Sequence, residues 1–333
     1  MAPTIRVKIG SGDALVFACD VLALKYAGRL YGVDKAAVTQ LLPADPSAPS
    51  QLPKADQHLL LNSSHKLGAK NLLLVGVVSL YQFRYREIRE FAYRALATLA
   101  KEVPDARHVA LTLHGVGYGL DETEAFESEI AGCVDAVSAG LVPEVLEQIT
   151  FLDIRDDRVN RLQKVLNRLL PSGFIGTDKS AASAGANAAT SAVLRAAGYA
   201  SAAKPMVFVA MPFSDEMDDV FHYGIQGAVN GVGALCERAD RSPFTGDIMD
   251  WVKERIGKAS MVIADLTGAN PNVYLEVGYA WGLRKQTILL VQDPEDLKFD
   301  LRGQRCLVYR KIRDLEQALA GELKVLLGSS TRP

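Results

Sequence analysis

Two carboxylates in the stretch SMVIADLTGANPNVYLEVGYAWGL, residues 260–283, are of a type and spacing that could do chemistry. Met261, Val262, Ile263 and Ala264 read as a buried strand, Asp265 stands where it ends, and a helix follows a polar turn. Asn270 suits the N-cap, and Pro271 the first helical position, where no backbone donor is needed. Glu276 then falls in the second turn, on the face that carries Asn272. Carboxylates so placed face the crevice where open α/β sheets bind ligands. They suit substitution at the anomeric carbon of a ribose. One, ionised, attacks or stabilises an oxocarbenium-like centre, and another polar group helps the leaving base. The positive end of the helix is expected to hold Glu276 ionised. On the alternative reading Asp265 is a cap and Glu276 a solvated helix residue. Against it, Glu276 is the lone charge in the apolar run from Val273 to Leu283, and an isolated acid there needs a reason.

The run ADLTGANPNVYLEVGYAWGLRKQTILL resembles the signature of nucleoside 2-deoxyribosyltransferase-like proteins and of bacterial TIR-like domains that consume NAD. The resemblance covers about residues 205–327. It implies that Glu276 is the nucleophile or oxocarbenium stabiliser and that Asp265 contacts the sugar or places the base. The form NPNVYLE tilts the substrate towards NAD or another nucleotide, with nicotinamide released in bacterial antiviral defence. NAD would be a substrate: no Gly-x-Gly-x-x-Gly fingerprint follows the domain's first strand, so no redox cofactor is expected. The resemblance also implies a homo-oligomer, because TIR-like sites are often completed by a neighbouring subunit. Two rivals stay open. One is a deoxyribosyltransferase or nucleotide N-glycoside hydrolase of salvage; the other is a non-catalytic nucleotide-binding receptor.

The elements that must position these residues form a flavodoxin-like, doubly wound parallel sheet over residues 205–333. Met206–Met211 is a continuous apolar strand, and its loop offers Met211, Pro212, Phe213 and Ser214 to line a base or ribose, with Ser214 also able to cap a helix. Val220, Phe221, Ile225 and Val229 form that helix's buried stripe. The strand ending at Arg238 offers Arg238, Asp240 and Arg241, then Phe244. An arginine here meets a phosphate and Phe244 stacks on a base, or the group is a surface ion cluster. The third loop offers Asp265, Thr267, Asn270 and Asn272.

Residues 1–171 alternate strands with helices, an α/β unit with a largely parallel sheet. The order of elements resembles a macro-type domain, especially the N-terminal domain of leucyl aminopeptidases. The metal-binding half of an aminopeptidase is missing, which argues against peptidase activity. The loop His114-Gly115-Val116-Gly117-Tyr118-Gly119 has two readings. Its glycines let backbone amides approach the phosphate of a nucleotide-type signal, as macro-type domains do. Alternatively it is a tight turn, since Asp121, Glu122 and Glu124 would repel phosphate while favouring the helix dipole. Residues 172–204 are rich in Ala, Ser and Gly and read as a linker, with an alanine-rich helix expected at Ala188–Ala197. The first domain would then sense a signal or drive assembly.

Composition bounds the rest. At 333 residues, 49% hydrophobic and 23% charged, the chain reads as a globular protein with two cores. A net charge of −2 gives no reason to expect a nucleic-acid partner. Cys19, Cys133, Cys236 and Cys306 are scattered without metal-ligand spacing, so no metal is expected and the thiols read as reduced and buried. No membrane span or signal pattern is legible, and a cytoplasmic location is expected.

Overall fold

The computed structural model describes residues 4–30, 32–42, 52–80, 82–176, 188–238, 248–298, 301 and 303–329. The chain divides into two compact units: Met1–Val116 with Glu122–Ser201, and Gly117–Asp121 with Ala202–Pro333. Both are α/β. Among the described residues no helix is long and apolar enough to cross a membrane, and no group of three or more His, Cys, Asp or Glu could hold a metal ion. Cys19, Cys133 and Cys236 are buried free thiols, whereas Cys306 is half-exposed.

The first unit is built on a seven-stranded sheet. Its strands are β1 (Thr4–Ser11), β2 (Cys19–Tyr26), β3 (His58–Asn62), β4 (Ala69–Gly76), β5 (His108–Thr112), β6 (Gln148–Asp153) and β7 (Phe174–Gly176), in the order β3-β4-β2-β5-β6-β1-β7. The inner five run parallel, and β3 and β7 are antiparallel edges. Both faces of β2 are dry, since Val21, Leu22, Ala23 and Leu24 are all fully buried, as expected of a central parallel strand. Helix α1 (Gly32–Leu41) packs Ala37 and Val38 on Leu22, Leu24, Leu72, Leu74 and Ala110. Helix α2 (Tyr85–Glu102) presents Ile88, Phe91, Ala92, Ala95, Leu96 and Leu99 as one buried stripe. Helix α3 (Glu122–Ser138) comes so close to α2 that a Cβ on Gly132 would stand 2.1 Å from the Arg89 carbonyl oxygen.

The stretch read as a linker carries structure. After β7 and α4 (Asp156–Leu169) comes α5 (Ala188–Ala196), which belongs to the first unit. It has few large side chains to bury. Arg89 holds it instead, donating to the carbonyls of Leu194 and Ala197 at 2.8 and 2.6 Å.

The second unit has five parallel strands: β8 (Met206–Ala210), β9 (Leu235–Arg238), β10 (Met261–Asp265), β11 (Thr287–Val291) and β12 (Cys306–Val308). Their order is β12-β11-β10-β8-β9, the flavodoxin-like sequence with its topological switch between β8 and β10. Both faces are covered, so β8, β11 and β10 up to Asp265 read as apolar runs, whereas the edge strand β9 ends on Glu237 and Arg238. Val207, Val209, Ile263 and Leu290 meet Phe221, Ile225, Val229 and α10 (Ile312–Ser329) on one face. On the other, Phe208, Ala210, Val262 and Leu289 meet α8 (Ile248–Lys258) and α9 (Pro271–Gly282). The helix after Ser214 differs from a plain amphipathic one. Short α6 (Asp215–Asp219) and α7 (Gly227–Gly231) flank a π-helical stretch, Val220–Gln226. Residues 221, 225 and 229 recur every four positions, longer than the α-helical repeat, and wider π turns bring them onto one face.

Candidate functional site at the sheet's switch point

Asp265 ends β10 and is fully buried. Its Oδ1 accepts from the Thr267 amide at 3.0 Å and the Thr267 hydroxyl at 2.6 Å. Its Oδ2 accepts from the Tyr309 hydroxyl at 2.6 Å. The Gln292 amide nitrogen donates to Thr267 Oγ1 at 3.1 Å, and the Gln292 side chain donates to Tyr309 at 3.2 Å. One network therefore ties together the carboxyl ends of β10, β11 and β12. Burial pushes the Asp265 carboxyl up, against the bonds from Thr267 and Tyr309, and burial beside Asp265 pushes the Tyr309 phenol up as well. Asp265 thus accepts three hydrogen bonds from its own unit, two on Oδ1 and one on Oδ2. Tyr309→Phe is expected to leave Oδ2 buried without its donor and to cost about 1–3 kcal/mol in urea unfolding.

The turn that follows sets the helix. Gly268 takes φ +71° and donates its amide to Asp296 Oδ2 at 2.8 Å. Asn270 caps α9, accepting from the Asn272 amide at 2.9 Å, and Pro271 occupies the first turn. Tyr274 ties α9 to the loop after β11, donating to the Asp296 carbonyl at 3.0 Å and accepting from the Lys298 amide at 3.1 Å.

Glu276 lies on the flank of α9's buried stripe of Val273, Val277 and Ala280. It is partly buried, and among the described residues it forms no hydrogen bond or ion pair. Burial alone pushes its carboxyl up to about 7. Burial thus works against the helix end that was expected to keep it ionised. The dipole's effect fades within the first turn, and Glu276 stands beyond it, so loss of hydration prevails.

At the end of β8, Met211 is buried and Phe213 exposed, with Pro212 between them. Ser214 occupies the N-cap position with extended backbone but makes no side-chain capping bond, contrary to expectation. Arg238 is buried. Its Nη2 donates to Asp218 at 3.2 Å, its Nη1 lies 3.7 Å from Met211 Sδ, and its guanidinium stands 4.0 Å from the Phe221 ring centre and 5.7 Å from that of Phe213. In this state it anchors the loop after β8. Asp240, Arg241 and Phe244 lie outside the described residues.

The structure thus joins Asp265 to Thr267, Asn270 to Asn272, and Met211 and Phe213 to Arg238. Tyr309, Gln292, Asp296 and Asp218 were missed by sequence reasoning. The available signal was position, since Tyr309 and Gln292 follow the carboxyl ends of parallel strands.

In the glycine loop, His114 is buried, stacked on Phe91 at 4.3 Å, with Nε2 accepting from the Lys25 amide at 3.2 Å and Nδ1 paired with the Thr112 carbonyl. Burial first, then the Lys25 charge, holds it well below the usual imidazole range. Gly115 and Gly119 take φ +87° and +79°, and the Gly119 carbonyl accepts from the Arg238 amide at 3.2 Å. Gly117 lies in the short 3-10 turn between them. Glu122 is gripped by Arg158 and Arg161, and Glu124 accepts from Ser201 at 2.6 Å, so these acids are buried partners and not a solvated first turn. A Cβ on Gly119 would stand 2.2 Å from the Arg238 carbonyl oxygen. Gly119→Ala is expected to destabilise by about 2 kcal/mol or more, through this clash and its left-handed backbone, as read by urea unfolding.

No family model matches the chain, and no curated protein does. Solved structures are similar over about half of it. A Trypanosoma brucei macrodomain in complex with ADP matches at 17% identity, covering 48% of this chain and 69% of that one, with a TM-score of 0.39. The macro domain of ganglioside induced differentiation associated protein 2 matches at 18%, covering 49% and 83%, with a TM-score of 0.39. An Oceanobacillus iheyensis macrodomain with MES bound matches at 14%, covering 52% and 100%, with a TM-score of 0.40. Each match covers about half of this chain, and the resemblance of residues 205–327 to deoxyribosyltransferase-like and TIR-like proteins gains no support from them.

Proposed function

We propose that the second unit is an N-glycosidase acting on a nucleotide, with NAD its substrate and nicotinamide its product. The observation that carries this reading is Glu276, a partly buried carboxyl with no hydrogen-bond or ion-pair partner among the described residues, on the helix that follows the sheet's switch point. Ionised, it stabilises or captures the oxocarbenium-like carbon as the C–N bond breaks. The bonding pair goes to the pyridinium nitrogen, so nicotinamide leaves as a neutral base. Water then adds to the sugar carbon and releases a proton to solvent.

The state of Asp265 favours NAD over an ordinary nucleoside. A departing purine or pyrimidine needs a proton, and Asp265, buried and held by Thr267 and Tyr309, is poorly placed to deliver one. A pyridinium leaving group needs none. Asp265 is then a positioning residue, and Met211, Pro212, Phe213 and Thr267 line the approach. The first unit acts in sensing or assembly, in a protein of antiviral defence.

The test incubates purified protein with NAD, and in parallel with a deoxynucleoside plus an acceptor base, for wild type and Glu276→Gln. Nicotinamide release that depends on Glu276 supports the proposal. Base exchange without nicotinamide release would assign the protein to nucleotide salvage.

A further inference from the structure

A groove of about 420 Å³ opens in the first unit, at the amino-terminal ends of β1, β5 and β6. It lies at the opposite end of these strands from the glycine loop after β5. The pairing registers explain its lining. Phe174 of β7 stands beside Arg6 of β1, Arg6 beside Gln148 of β6, and Gln148 beside His108 of β5. Residues in register share a face, so these four side chains form one row across four neighbouring strands. Lys8 and Thr150 form the next row on that face. The α1 helix covers the Leu22–Leu72 side of the sheet, while Arg6 and Lys8 stay exposed.

The row is chemically composed. Phe174 offers an aromatic face, with the Arg6 guanidinium 5.3 Å from its centre. Buried Thr150 fixes the polar pair: its Oγ1 is 2.8 Å from His108 Nε2 and accepts from Gln148 Nε2 at 3.1 Å. Burial, with Lys8 adding to it and Asp20 opposing, moves the His108 imidazole below its ordinary range, which suits hydrogen bonding. Arg107 and Glu147 pair with each other at the rim, whereas among the described residues Arg6 and Lys8 form no ion pair.

We propose that this groove binds one small phosphorylated, ring-bearing anion of the mononucleotide class. Its base packs on Phe174 and hydrogen-bonds Gln148 and His108, while Arg6 and Lys8 balance its phosphate. The volume suits one such molecule.

The test titrates the full chain with AMP while following the His108 ring resonance, identified by its loss in His108→Gln. Adenosine and inorganic phosphate are run as separate arms. Saturable movement with AMP is expected, with affinity about tenfold lower in Arg6→Gln and in Gln148→Leu. Arg6 is exposed, so Arg6→Gln should keep the wild-type melting temperature. AMP that leaves the His108 ring unmoved, or binds Arg6→Gln undiminished, would overturn the proposal. So would phosphate or adenosine alone binding as tightly as AMP.

Discussion

Glu276→Gln is expected to lower nicotinamide release by about a thousandfold while making the protein more stable at pH 8 by about 2 kcal/mol. The two effects have one cause. An ionised carboxylate with no counter-charge costs free energy when half-buried, and an electron-poor sugar carbon would supply the missing positive charge. Glutamine keeps the shape and removes both the cost and the chemistry. The sign follows from linkage. The unfolded carboxyl titrates at 4.5 and the folded one at about 7, so the native state holds the proton more tightly. Stability contributed by this group is complete below 4.5 and is lost as pH rises through about 7. The full shift corresponds to about 3 kcal/mol, and residual hydration of the side chain brings it to about 2. Urea unfolding of both proteins at pH 5 and pH 8 should show the difference at pH 8 and little at pH 5. Equal stability at pH 8 would sink the argument from burial.

The same carboxyl sets the acid limb of activity. The ionised form is the working one, so kcat/KM for NAD should fall about tenfold per pH unit below about 7. A limb near 4.5 would mean that Glu276 regains water in the enzyme at work.

Apolar periodicity made most elements legible. The continuous runs Met206–Ala210, Met261–Asp265 and Thr287–Val291 announce strands covered on both faces. Their alternation with amphipathic helices makes a doubly wound order the natural one. Strand direction was not legible, because β3 and β7 carry no mark of antiparallel pairing in their own side chains. At the site, Asp265 and Glu276 stood out as acids in apolar surroundings, but Tyr309, 44 positions away, gave no local sign of its bond to Asp265. The ionisation of Glu276 was misjudged because sequence shows the helix end nearby and not the water lost. The docking of α5 was hidden for a different reason. Side-chain patterns report apolar burial, whereas this helix is held largely by its backbone carbonyls.

That docking carries the second large expected effect. Arg89→Ala should destabilise the protein by about 3–5 kcal/mol. The guanidinium is buried, and each of its three nitrogens donates. Nε and Nη2 grip Asp135 at 2.6 and 2.9 Å, and Nη1 donates to Leu194 and Ala197. The cation also lies 4.4 Å from the Tyr199 ring centre. A cation at the last carbonyls of a helix meets its negative end, so one side chain both satisfies orphan acceptors and fastens the helix to α2 and α3. Lysine offers a single point charge without the planar fork, so Arg89→Lys should recover part of the loss and not the whole. Asp135→Asn separates the two roles, since it weakens the ion pair and leaves the bonds to α5. Hydrogen exchange should then show the amides of α5 opening early in Arg89→Ala and staying protected in Asp135→Asn. If α5 exchanges alike in both, its anchor is the apolar contact beneath it and not the arginine.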